Sequence, residues 1–168
     1  TGVFAGETEA VHKHTIKKSF EQYCVPVDGQ ADIVVCGIPF ISPYNVNAFL
    51  NPLLVQVMAQ GYLYNLHRKN PLIKKGGTLI ITHPCTDKFD QTQHIGYIDF
   101  VHKLLPETRD AKELHKRFEA KYAADPSLIE QYRFGNAYHP VHAFFMWYWG
   151  EKGRQHIFRV IVVGADNE

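Results

Sequence analysis

Three short apolar runs punctuate the chain: Asp32 to Cys36 (DIVVC), Thr78 to Thr82 (TLIIT) and Phe158 to Val163 (FRVIVV). Each is rich in β-branched residues, and turn-forming Gly or Pro bounds the first two, the pattern of buried strands. The runs are nearly continuous rather than alternating, so they suit a parallel sheet covered by helices on both faces. The segments between them should therefore be helical crossovers.

Apolar residues recur at helical spacing in those segments. Thr8 to Cys24 places Ile16, Phe20, Tyr23 and Cys24 on one side, with Thr8 as N-cap. Asn47 to Leu66 has Pro52 near its first turn, where the missing N–H costs least. This helix links the first two strands, and such a crossover is expected to be right-handed. After the second strand come Ile95 to Leu105, Asp110 to Ala123 and, behind the Asp125-Pro126 pair, Pro126 to Tyr132, a helical insertion. The last helix is predicted over His139 to Trp149, with Pro140 in its first turn and Gly150 and Gly153 ending it. Its aromatics surround the whole circumference, which predicts burial against the sheet or another domain. The predicted fold is α/β, a Rossmann-like three-layer sandwich with a helical insertion after the second strand.

Length and composition narrow this picture. The 168 residues fit one domain and leave no room for a second full core. Hydrophobic residues make up 45% and charged residues 21%, as in ordinary globular chains. A net charge of +1 leaves no broad footprint for nucleic acid or an anionic membrane, and no apolar stretch approaches the length of a membrane span. Small molecules and proteins are the expected partners. Three cysteines, Cys24, Cys36 and Cys85, are odd in number and widely spaced, which argues against a disulfide framework and for a cytoplasmic setting. The chain opens on Thr1, and three strands are few for so many helices; both features are expected of part of a larger protein.

Ligands in open α/β sheets gather beyond the carboxyl ends of the strands. That rule nominates the loops 37–47, 83–87 and 164–166, which together carry Asn45, Asn47, His83, Cys85, Asp87 and Asp166. His83, Cys85 and Asp87 alternate, so an extended segment would point all three the same way. Either they form a polar rim that polarises a substrate or holds a metal, or they serve as a cap, a core filler and a helix cap. His139 and His142, spaced i, i+3, would share a face of the last helix, again as ligands or as core and capping residues. A metal set of His83, Cys85, His139 and His142 is the weaker alternative; neither a CxxC pair nor HExxH supports it, and no metal is assigned. Gly76-Gly77 precedes a strand and reads as a turn, not a phosphate cradle. GxGxxG, P-loop and GxSxG patterns are all missing.

Read in order, GVFAGETEAVHKHT, YCVPVDGQADIVVCGIPF, SPYNVNAFLNP and IKKGGTLIITHPCTD resemble the C-terminal domain of the lactate racemase family, over about residues 1 to 105. The resemblance implies a two-domain isomerase, a 2-hydroxyacid racemase or epimerase that uses a nickel-pincer nucleotide to abstract and return hydride. It also implies that the cofactor and the catalytic groups belong to an N-terminal domain not contained in these residues. This fragment alone would then bind no cofactor, carry no catalytic residue and be inactive. Its part is to close over the cleft and contact the hydroxy acid. The family carries Tyr-Gln-x-x-Lys after the first strand; alignment on Asn45-Val46 puts Asn47, Ala48 and Asn51 there. Asn51 replaces a lysine that would pair with a substrate carboxylate, and a neutral amide bonds more weakly than a charged one. Asn45, Asn47 and Asn51 are thus candidate substrate contacts, with turn formation and capping before Pro52 the equal alternative for Asn47 and Asn51, and Tyr138 stands for an aromatic that the family uses in its later helical part. A non-catalytic small-molecule-binding or regulatory α/β module is the competing expectation.

Overall fold

A computed structural model describes residues 2–42, 48–62 and 71–165. Strand β1 (Ala31–Gly37) pairs in parallel with β2 (Ile73–Thr82), which pairs in parallel with β3 (Arg159–Val163), in the order β1-β2-β3. The α/β class and parallel sheet thus agree with the apolar runs. Alternation sends Val34, Leu79 and Val160 to one face, and their neighbours Val35, Ile80 and Ile161 to the other. Leu79 and Ile81 are fully buried, whereas Val35 is 64% and Ile33 59% exposed. Among the described residues the second face is therefore bare. The strand order supplies the reason: both connections step the same way across the sheet, and right-handed crossovers then lie on one side.

Helix α1 (Thr8–Tyr23) is capped by Glu7, whose carboxylate accepts from the Glu9 and Ala10 N–H groups, and not by Thr8 as the pattern predicted. It buries no residue. After β1, α2 begins at Pro52–Gln56 and continues as a wider π-helical segment, Val57–Tyr62; the expected extension to Leu66 lies outside the described residues. Asn51 is its N-cap, accepting from the Leu54 N–H at 3.0 Å, and Pro52 takes the first turn.

β2 begins five residues earlier than its apolar run. Between Ala31↔Ile73 and Ile33↔Thr78 the register slips, so Gly76-Gly77 form a bulge inside β2 rather than a turn before it. Gly76 has φ +81°, and a Cβ on Gly77 would lie 2.8 Å from the Asp32 carbonyl oxygen, so both positions require glycine.

Between β2 and β3 the chain is helical, as expected. α3 comprises Ile95–Asp99 and the π-helical Phe100–Leu104. α4 runs through Ala111–Leu114, His115–Glu119 and Ala120–Ala123 behind an Asp110 cap. α5 (Pro126–Phe134) is capped by Asp125. α6 (His142–His156) starts three residues later than predicted and continues through Gly150 and Gly153. These glycines do not end it; they let it press on α2. A Cβ on Gly153 would collide with the Gln60 carbonyl, and one on Gly150 with the Gln56 amide. The aromatics of α6 are unequally buried: Phe144 is enclosed, packed on Phe100 with centroids 4.7 Å apart, while Phe145 is 52% exposed. Among the described residues no helix is long and apolar enough to cross a membrane.

Candidate functional site

The starts of α3 and α6 meet beside α2 around a cavity of about 110 Å³ lined by Leu54, Tyr62, His94, Tyr97, Tyr138, His142 and Met146. Local chemistry fixes each wall. Asp90 Oδ1 accepts from the Thr92 and Gln93 N–H groups at 2.9 and 2.7 Å, turning the chain into His94, the N-cap position of α3. One turn on, Tyr97 points inward and is 2% exposed. The Tyr138 N–H donates to the Gln93 carbonyl at 2.9 Å, tying the segment before α6 to the loop before α3.

The four rings form one cluster. Tyr138 lies nearly parallel to both imidazoles, 5.3 Å from His94 and 4.9 Å from His142. Tyr97 packs at 4.7 Å on His94, and its hydroxyl shares a 2.5 Å hydrogen bond with Nδ1 of His142. With Tyr97 as the donor, His142 presents an Nε2–H. His94 is 1% exposed, and neither ring nitrogen has a hydrogen-bond partner among the described residues. Two such atoms are costly to bury dry, so a buried imidazole in this condition is a hydrogen-bonding group without its partner.

Burial lowers the pKa of His94 to about 4; the Asp90 carboxylate opposes this and His142 reinforces it. Burial also lowers that of His142. Both rings are therefore neutral near pH 7, and among the described residues no lysine or arginine lines the cavity. The site can donate and accept hydrogen bonds, and it can take up a proton, but it carries no fixed charge.

The residues nominated from sequence are dispersed. Asn45, Asn47 and Asp166 lie outside the described residues. Asn51 is fully buried and spends its side-chain oxygen on the α2 cap, leaving its amide nitrogen without a partner among the described residues. His83, Cys85 and Asp87 do not point together, because Cys85 adopts a left-handed backbone (φ +48°) that breaks the alternation. His83 is buried, its Nδ1 accepting the Cys85 N–H at 2.9 Å. Burial lowers its pKa, and the Pro39 carbonyl offsets this in part while standing outside hydrogen-bond geometry with Nε2. Cys85 packs against the core and burial raises its thiol pKa. Asp87 is exposed and faces His102 at 3.2 Å. His139 precedes α6 instead of sharing its face with His142, and packs edge-on against Tyr132. Among the described residues no three His, Cys, Asp or Glu side chains gather as metal ligands, so His83, Cys85, His139 and His142 are not brought together.

Tyr138 and His142 are thus the nominated residues that the fold unites. His94 and Tyr97 were missed; their i, i+3 spacing at a helix start was a visible signal, but only packing joins them to residues some 45 positions away. A wider open groove, lined by Phe20, Tyr23, Val25, Val27 and Leu72 among others, contains no His, Asp, Glu, Lys or Arg among the described residues. Comparison with protein-family models, curated proteins and solved structures finds no match to this chain.

Proposed function

We propose that this chain is the substrate-closing domain of a racemase or epimerase acting on a 2-hydroxy acid, and that the acid contacts the His94–Tyr138–His142 cavity. The observation that carries the reading is Tyr138: the aromatic nominated by the family resemblance packs between two neutral imidazoles in a cavity of about 110 Å³. That volume equals about four waters at their liquid volume, room for a small molecule only. The ordered sequence blocks up to about residue 105 support the same family.

In this reading the nickel-pincer nucleotide supplies hydride abstraction and return, held by a separate N-terminal domain. The cavity described is far below the roughly 300 Å³ of sites for drug-sized ligands, so it does not fit a nucleotide. What these residues do is orient the acid and exclude water. The bare apolar sheet face, with Ile33 59% and Val35 64% exposed, supports a second covering layer in a larger protein, which would complete a three-layer sandwich.

A second reading, a self-contained binding or regulatory module, is favoured by the cavity's being built wholly from this chain. Calorimetric titration of D- and L-2-hydroxy acids into this chain and into the longer protein separates the two. The domain reading expects weak binding by the chain and interconversion of enantiomers, read by chiral chromatography, by the longer protein. Equally tight binding by both, without interconversion, overturns it.

A further inference from the structure

We propose that the His94–His142 cavity binds a small carboxylate through His94 and takes up one proton as it does so. The inference rests on the cavity being the acid's site and goes on to name the group that receives the charge. His94 is 1% exposed and lines the cavity with both ring nitrogens unpartnered among the described residues, so a ligand oxygen there would meet a donor that has no other use. Among the described residues no lysine or arginine lines the cavity to neutralise a carboxylate, and burying an unpaired anion is strongly unfavourable. Protonation of an imidazole is the remaining source of charge within the lining.

The ionisable groups facing His94 set the direction. Asp90 favours the imidazolium, His142 disfavours it, and the Tyr97 and Tyr138 rings pack on it. Unoccupied, His94 stays neutral down to about pH 4. A carboxylate at hydrogen-bond distance shifts such a group upward by roughly 1 to 3 pH units. Between those two values the occupied site holds a proton that the free site lacks. The balance is simple: one carboxylate and one proton enter, and a neutral imidazolium–carboxylate pair results. His142, already bonded through Nδ1 to Tyr97, adds its Nε2–H without changing charge.

The experiment is calorimetric titration of acetate, lactate and lactamide into the chain at pH 5 in two buffers of different ionisation enthalpy, repeated at pH 7. Expected are uptake of roughly 0.3 to 0.8 proton per lactate at pH 5 and less per acetate, part of which already carries a proton there, affinity falling up to about tenfold per pH unit above it, and no proton uptake with lactamide. In parallel, the imidazole resonances of ¹⁵N-histidine-labelled protein report whether His94 gains the proton, which needs no substitution. His94→Gln should keep a weaker affinity and lose the uptake. Lactate binding without proton uptake, or with uptake by another histidine, overturns this inference and leaves the hydroxy-acid reading standing. Acetate bound as well as lactate with uptake upholds the inference and counts against hydroxy-acid selectivity. Absence of binding by any acid overturns both.

Discussion

Replacing Gly153 by alanine tests how closely α6 is pressed against α2. The added Cβ would lie 2.9 Å from the Gln60 carbonyl carbon and 3.2 Å from its Cα, and closer still to the oxygen. These are backbone atoms of a buried π-helical turn, so relief requires the two helices to separate. Overpacking of this kind costs about 1–3 kcal/mol, while alanine in a helix interior recovers about 1 kcal/mol over glycine. Because the opposing atoms are backbone, the cost falls at the upper end of that range, and the net expectation is a loss of about 1–2 kcal/mol, or a Tm lower by about 2–8 °C for a chain of this size. Gly150 is the internal control. The three atoms nearest a Cβ there all belong to the Gln56 side-chain amide, which has no hydrogen-bond partner among the described residues and can swing away. Gly150→Ala should change stability by less than about 0.5 kcal/mol, the propensity gain offsetting the displacement. Urea unfolding followed by circular dichroism reads both, and equal m-values ensure that the same transition is compared. A Gly153→Ala protein as stable as the parent would refute the close approach of α6 to α2.

The two faces of the sheet should respond differently: Leu79→Ala, on the covered face, is expected to cost about 2–5 kcal/mol, and Val35→Thr, on the bare face, under about 1 kcal/mol. Equal losses in urea melts would show that Val35 is covered in solution. Asn51→Ala removes the α2 cap and should lower stability by about 1 kcal/mol, measured the same way; an unchanged midpoint would remove the capping role. Acid should destabilise the fold through His94. Its pKa is about 4 when folded and near the ordinary 6.5 when unfolded, so the unfolded chain binds a proton that the folded one lacks between those values. The stability it contributes is full above about pH 6.5 and is lost as pH falls to about 4. His83 and His142 act in the same direction. Tm should therefore fall over that window, less steeply in His94→Gln, and an identical slope in the two proteins would contradict the assignment.

Several elements were legible in the chain because their causes are local. The β-branched runs marked the sheet strands, since such residues fit a pleated buried surface, and the Asp125-Pro126 pair marked the start of α5 because a carboxylate cap and a missing N–H both act within one turn. Gly76-Gly77 and Gly150/Gly153 misled for a shared reason. Glycine stops a helix or turns a chain through its own backbone freedom, but it also marks where another backbone approaches, and only the partner tells these apart: Asp32 opposite Gly77, Gln60 opposite Gly153. The site divides the same way. Tyr138 and His142 were named from sequence, yet their role depends on His94 and Tyr97, which the folding of α3 against α6 brings to them. The alternation of His83, Cys85 and Asp87 was real in sequence and undone by one left-handed residue. Residue types thus determined that the chain builds a parallel sheet with helical crossovers and carries no broad charge. The tertiary structure decided which sheet face is covered and which histidine is left without a partner, because strand order and helix packing arise from contacts between residues far apart in the chain.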